Sequence, residues 1–159
     1  MKKMMYLFTL LILIISCTNQ QEHSMLDENP LLQEWDTPFQ SPPFDEIKNE
    51  HFMPAFLEGM KAQKAENDAI IKNAEEPTFK NTIEALEKSG ELLKRVNGVF
   101  DCLVRANTND VLQQILKEVA PLRTNHNNDI NLNEELFAKI KKLYETRESI
   151  GLTSEQNTV

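Results

Sequence analysis

The sequence has few of the residues that catalytic sites commonly require. Its 159 residues include three histidines, two cysteines and four glycines, and no His is followed by Glu. The commonest metalloprotease motif, H-E-x-x-H, places two zinc-binding histidines on one helix face with the catalytic Glu beside the first, and it is absent here. The scarcity of Gly excludes a glycine-rich phosphate loop, and no G-x-S-x-G nucleophile motif is present.

The histidines are too scattered in sequence to suggest a metal site. His23 lies in a polar stretch, His51 is at the start of a predicted helix, and His126 is at the end of another. A cation at a helix C-terminus is favourable because it faces the negative end of the helix dipole. We therefore expect structural or incidental roles for all three, and the sequence predicts no catalytic, cofactor-binding or metal-binding residue.

Positive charge is also in short supply. The formal net charge is −8, and residues 1–16 carry two lysines and no acidic residue, so the remainder holds 15 basic against 25 acidic residues. Nucleic-acid binding depends largely on Lys and Arg neutralising phosphates. This balance excludes nucleic acid as a partner and predicts a solvated acidic surface.

The amino-terminal segment has the pattern of an export signal. Lys2 and Lys3 precede an apolar run over residues 4–15 that only Thr9 interrupts. As a helix this run would be roughly 18 Å long, well short of the ~30 Å hydrocarbon core of a bilayer. We predict that residues 1–16 form a signal peptide rather than a transmembrane helix.

The end of this segment predicts a lipid anchor. Ile14-Ile15-Ser16-Cys17 resembles a bacterial lipobox, which implies acylation of the Cys17 thiol and cleavage before it. Residues 17–28 would then be a polar tether, and the protein a lipoprotein on the periplasmic face or the cell surface. The alternative is an ordinary secretory signal with an incidental cysteine. If Cys17 is lipidated, Cys102 is the only other thiol, and we predict that it is a small buried hydrophobic residue.

The rest of the chain predicts an all-α fold. Residues 29–49 hold most of the prolines and predict an extended arm, because each proline disfavours a helical conformation in the residue before it. Residues 50–159 show apolar spacings near 3.6, which predict amphipathic helices. The predicted bounds are about Glu50–Ala74, Asn81–Ala106 with a break near Ser89-Gly90, Asp110 to Asn127-Asp129 with a kink or break at Pro121, and Glu134–Ser149. Residues suited to cap a helix start precede the last three of these helices: Thr78, residues 107–110 and residues 131–133.

The sequence gives specific expectations for burial on the faces of two of these helices. The first helix places Gln63 and Asn67 among its apolar residues, so we expect incomplete burial there. The fourth is expected to bury Leu136, Phe137, Ile140, Leu143 and Tyr144. After it, Thr153 and Gln156 have the spacing of a capping box, which predicts the start of a fifth helix.

Several segments in order resemble one family of peptidases. They include PTFKNTIEALEKSG (residues 77–90) and ANTND (residues 106–110), within a likeness that extends from about Asn29 to Asn157. The likeness is to the N-terminal region of the peptidyl-dipeptidase Dcp and oligopeptidase A enzymes, which are thimet-oligopeptidase-like zinc metallopeptidases. It implies a larger all-helical protein whose halves enclose a channel and which hydrolyses short peptides with zinc. The family's H-E-x-x-H and downstream Glu match no position here, so no zinc or catalytic residue is transferred.

Three interpretations follow. The favoured one is a truncated N-terminal segment of a lipid-anchored zinc-dependent peptidyl-dipeptidase or oligopeptidase, inactive alone. The second is a lipid-anchored helical binding or scaffold module. The third is complementation by a separately encoded catalytic half.

Overall fold

Helices account for all regular secondary structure in the part of the chain that the structure describes. The computed structural model describes residues 28–156, so residues 1–16, His23 and Cys17 lie outside it. The helices are 3₁₀ turns at Pro38–Gln40 and Asn49–His51, α1 at Phe52–Lys72, a π-helical turn at Phe79–Glu84 that continues as α2 at Ala85–Lys88, α3 at Glu91–Ala106, α4 at Asp110–Asn131 and α5 at Glu134–Thr146. The predicted all-α class is confirmed. Within the described range, no helix is both long and apolar enough to cross a membrane.

The described residues fall into two units, one ending at Ala55 and the other beginning at Phe56. In the first unit, Asn29 is buried, and its side chain donates to the His51 carbonyl at 2.8 Å and accepts from the Leu31 amide at 3.0 Å. The Trp35 indole N–H donates to the Pro30 carbonyl at 2.8 Å. Leu31 is buried, whereas Phe39 is fully exposed. Side-chain hydrogen bonds thus join the proline-rich segment to backbone carbonyls of its own and of His51.

The second unit has an apolar core between the helices. Phe56 of α1 and Phe100 of α3 are fully buried, and their rings meet edge to face with centroids 5.2 Å apart. Gly59 lies so close to α3 that an added Cβ would be 3.1 Å from the Cα of Leu93. Further buried positions follow the predicted spacing along α3, α4 and α5: Leu93, Val96, Leu112, Ile115, Val119, Leu136 and Leu143.

The helix break predicted near Ser89-Gly90 is confirmed, and its geometry requires glycine. Gly90 has φ +73°, and a Cβ there would lie 2.4 Å from the Gln63 side chain. The Gly90 amide donates to the Glu66 carboxylate at 2.7 Å, and the Ser89 hydroxyl donates to the Leu86 carbonyl at 2.7 Å. The break is thus stabilised by a local hydrogen bond from Ser89 to the preceding turn and by a hydrogen bond to a side chain of α1.

Polar side chains cap the helices where the sequence predicts them. Thr78 and Asn81 form reciprocal hydrogen bonds at the start of the π-helical turn. Asn109 accepts from the Leu112 amide at 2.9 Å, and Asn133 accepts from the Leu136 amide at 2.8 Å. Each cap satisfies an amide that a helix start would otherwise leave unpaired.

Helix α4 corrects two predictions. Of the predicted kink or break at Pro121, the break is wrong, because the helix continues through Pro121; the helix also extends to Asn131, beyond the predicted end at Asn127-Asp129. Proline removes one backbone hydrogen bond from a helix interior. The buried side chains of Leu112, Ile115 and Val119 hold the preceding half of the helix in the core. That burial outweighs the local proline penalty.

The buried face predicted for α5 is only partly right. Leu136 and Leu143 are buried as predicted, but Phe137 and Tyr144 are 63% and 64% exposed. The spacing identified the helix and two of its core residues, while the apolar face is wider than the surface available to cover it.

The core predicts a sharp contrast between two Phe→Ala substitutions. Phe100→Ala removes a fully buried ring and its contact with Phe56, so we expect it to lower the free energy of unfolding by about 3–5 kcal/mol. Phe137→Ala is the matched control on an exposed ring, and we expect a change within about 0.5 kcal/mol. Urea unfolding followed by circular dichroism measures both. Equal losses would show that the Phe56–Phe100 pair is not the centre of the core.

Candidate functional site

The histidines within the described residues have structural partners. The ring of His51 accepts a hydrogen bond at Nδ1 from the Lys48 amide at 3.1 Å, which closes the 3₁₀ turn. In the second unit, His126 Nε2 lies 2.8 Å from Gln63 Oε1. Across residues 28–156, no group of three His, Cys, Asp or Glu side chains is arranged to hold a metal ion.

Gln63 connects three helical segments. Its Oε1 accepts from His126 of α4, because a carbonyl oxygen cannot donate, and its Nε2 lies 3.5 Å from the Ser89 hydroxyl at the break. The His126 ring therefore carries its proton on Nε2 when it is neutral. Its Nδ1 is then an acceptor.

A small polar cavity, the Asn67 pocket, lies beside this contact. It has a volume of about 40 Å³, and its lining includes Asn67, His126, Lys64, Asp68 and Asp129. Asn67 is only 4% exposed, and neither atom of its amide group has a hydrogen-bond partner among the described residues. This volume suits about one to three water-sized polar groups, which could pair with the amide. Its lining combines these polar side chains with Ile71, Ile130 and Leu136, and the pocket lies between α1, α4 and the start of α5.

The surroundings of His126 shift the pKa of its imidazole ring. Burial lowers the pKa of the imidazole below its ordinary value, and the Lys64 charge lowers it further, while the Asp129 carboxylate acts in the opposite direction. The lowered pKa favours the neutral form of the ring. The Nε2–H group can donate to Gln63 in both the neutral and the protonated ring.

A larger and more apolar concavity, the Tyr144 groove, lies between the π-helical turn and α5. Its volume is about 290 Å³. The apolar lining comes mainly from Phe79, Ile83, Ile140, Leu143, Tyr144 and Ile150. Arg147 adds one positive charge, and its guanidinium stacks 4.0 Å from the centroid of the Tyr144 ring.

Two lysines of α5 attach this helix to the segment that precedes the π-helical turn. Lys139 donates to the Asn73 carbonyl at 2.7 Å, and Lys142 forms a hydrogen-bonded ion pair with Glu76. The hydrogen bond from Lys142 and its charge lower the pKa of the Glu76 carboxyl below its ordinary value. These contacts hold α5 against the segment between α1 and the π-helical turn, so the groove has a fixed wall.

Cys102 is exposed, which corrects the predicted buried thiol. It follows the buried Phe100 by two positions, or about 200° around a helix, and so faces away from the core side of α3. The apolar neighbours of Cys102 in sequence suggested that its thiol is buried, but its position in the helical period directs the side chain away from the core. A lone exposed thiol defines no site.

Residues 28–156 thus present two concave surfaces, the Asn67 pocket and the Tyr144 groove. No protein-family model matches the chain. The chain is homologous to dipeptidyl carboxypeptidase and oligopeptidase A.

The similarity covers most of this chain but little of the relatives. Over 131 residues, 82% of the chain, it is 47% identical to the dipeptidyl carboxypeptidase of Escherichia coli strain K12. It is 26% identical over 121 residues to the organellar oligopeptidase A of Arabidopsis thaliana, and 24% identical over 115 residues to the oligopeptidase A of E. coli. The chain spans only 19%, 15% and 16% of the length of these relatives. This fits an N-terminal segment of a helical peptidase.

Sequence reasoning missed both concave surfaces. Gln63 and Asn67 were identifiable as polar positions on a face expected to be incompletely buried, and the structure buries Asn67 while Gln63 is partly exposed. Tyr144 was assigned to the core because the pattern gives the direction of a side chain and not what lies opposite it. The capping box of Thr153 and Gln156 is confirmed, since each backbone amide donates to the other side chain.

The lowered pKa of His126 predicts a pH-dependent stability. The unfolded chain, with an ordinary His pKa of about 6.5, binds the proton more readily than the folded chain. The free energy of unfolding should therefore fall as the pH drops from 7.5 to 5. His126→Gln retains an amide donor for Gln63 and removes the titration, so its urea midpoint should fall less over this range. Identical pH profiles for the variant and the unaltered chain would contradict the assignment.

Proposed function

We propose that this chain supplies the N-terminal helical segment of a peptidyl-dipeptidase or oligopeptidase that hydrolyses short peptides. The single observation that supports it is the 47% identity to a dipeptidyl carboxypeptidase over 82% of the chain. The buried positions of α1, α3 and α4 form a continuous core in that segment. Its role in the peptidase would be to form part of the channel wall.

We further propose that the chain alone does not catalyse hydrolysis. The resemblance implies a zinc peptidase, but residues 28–156 do not fit zinc, because no three ligating side chains converge among them. No catalytic step is therefore assigned to these residues. Zinc and the catalytic groups would belong to the family segment that carries H-E-x-x-H.

A chimera tests the peptidase role. Residues 29–157 replace the homologous segment of the E. coli dipeptidyl carboxypeptidase in one continuous polypeptide. We expect the chimera to retain peptide hydrolysis, because the two segments are 47% identical over 131 residues. The purified chain alone, with added zinc, should show none.

Two outcomes would oppose this function. A folded chimera without activity would indicate that the segment has become a binding or scaffold module. Robust hydrolysis by the chain alone would show that a catalytic site exists within it. A chimera carrying Phe100→Ala is the control for loss of activity through unfolding, and circular dichroism separates the two causes.

A lipid anchor is the second part of the proposal. The lipobox-like sequence that ends at Cys17 supports acylation of its thiol and an extracytoplasmic location on a bacterial membrane. Two or more acyl chains, at about 0.8 kcal/mol for each buried CH₂, hold a protein firmly on a bilayer. The polar residues 17–28 would keep the helical segment clear of the lipid surface.

The two cysteines make this anchor testable with a matched pair of variants. Cys17→Ser should abolish incorporation of labelled palmitate in cells and move the protein out of the membrane fraction. Cys102→Ser should change neither, because the exposed Cys102 lies within α3 and far from the signal in sequence. Persistent labelling of the Cys17→Ser protein would rule out a lipid at this position.

A further inference from the structure

The Asn67 pocket contains a buried amide group that the surrounding side chains do not satisfy. Asn67 is 4% exposed, and neither its Oδ1 nor its Nδ2 has a hydrogen-bond partner among residues 28–156. A buried polar group left unpaired is costly, and nearly all such groups in native proteins bond to protein or to ordered water. The pocket beside this amide therefore favours an occupant that can both donate and accept.

The charges around the pocket oppose an ion as that occupant. Asp68 already forms ion pairs with Lys64 at 3.8 Å and with Lys72 at 3.5 Å. Asp129 is then the one carboxylate of the lining that has no lysine partner within the described range. A cation would contact only Oδ1 of Asn67 and an anion only Nδ2, so either ion would leave half of the amide unpaired.

The size and the lining of the pocket match water. Its volume of about 40 Å³ holds about one to three waters, since each requires roughly 10–15 Å³ on this measure. Cavities that stay dry are lined by apolar groups. Here His126, Asp129 and Asn133 stand beside the apolar side chains of the lining. A water bound to Asn67 would thus find the two to four polar partners that buried waters normally have.

We propose that the Asn67 pocket binds about one to three ordered waters, which pair with the Asn67 amide and join α1 to α4. Gln63 lies one turn before Asn67 on α1 and bonds directly to His126 of α4 at 2.8 Å. The waters would extend this contact by one turn, toward Asp129 and toward Asn133, whose side chain caps α5. The site goes beyond the proposed function, because it requires neither zinc nor hydrolysis.

Nuclear magnetic resonance on the chain, labelled with ¹⁵N at asparagine, detects such waters directly. We expect the side-chain amide protons of Asn67 to show nuclear Overhauser effects to water in the laboratory and rotating frames of opposite sign, as a bound water gives. The exposed Asn128 in the same spectrum is the control for bulk water. A crystal structure of the chain should place a water oxygen roughly 2.7–3.2 Å from Oδ1 or Nδ2 of Asn67.

Two Asn→Leu substitutions make the test specific. Asn67→Leu keeps a side chain of similar size but removes the amide, so the water signals of the Ile71 and Ile130 methyl groups in the pocket lining should be lost. Asn128→Leu is the matched control: Asn128 is exposed on α4 and absent from the lining, so these signals should stay unchanged. Asn67→Ser retains a group that donates and accepts, and it should keep them. The spectrum and crystal structure of the unaltered chain decide the proposal even if Asn67→Leu does not fold.

Unfolding in different salts distinguishes water from a small cation. The urea midpoint is measured at one low concentration of sodium, potassium, ammonium or choline chloride, and choline is too large for a pocket of about 40 Å³. Bound water predicts equal midpoints in all four salts. A saturable rise with one small cation would assign the pocket to that ion and overturn the proposal.

Three further results would also overturn it. These are the absence of a bound-water signal at Asn67, a protein group bonded to its amide in the crystal structure, and methyl signals that persist in Asn67→Leu. None of these results depends on whether the chimera is active, so failure of this site and failure of the proposed function are distinguishable.

Discussion

The structure of the second unit depends on how α1 holds the break between α2 and α3. Gly90 adopts a left-handed conformation that favours glycine, with its amide bonded to Glu66 and its Cα close to the Gln63 side chain. The same Gln63 accepts from His126. One polar face of α1 therefore fixes where α3 begins and how α4 is joined to it. An apolar contact could not do this, because only hydrogen bonds specify both distance and direction.

This polar joint and the apolar core have different roles. Phe56 and Phe100 bury their rings together and supply much of the driving force for folding, which is proportional to the apolar area removed from water. The hydrogen bonds of Gln63 and Glu66 add less free energy each, but a buried polar group left without a partner would be costly. Core burial thus stabilises the helices, and the joint selects one arrangement of them.

The apolar surface of α5 is only partly covered by the described residues. Leu136 and Leu143 pack inward, while Lys139 and Lys142 attach the helix to the segment around Asn73 and Glu76. The ring of Tyr144 is then left on the outside, stacked against Arg147. Helix α5 therefore keeps Phe137 and Tyr144 exposed on its outer side.

The amino-acid sequence by itself determined the helical class, the caps at Thr78, Asn109 and Asn133, the break at Gly90 and the likeness to one peptidase family. These depend on interactions within a few residues of the chain, or on residue order alone. Only the tertiary structure decided that α4 runs through Pro121, that Asn67 is buried, and that Cys102, Phe137 and Tyr144 are exposed. The physical reason is that a helical period gives the direction of a side chain, whereas burial depends on what another part of the chain places opposite it.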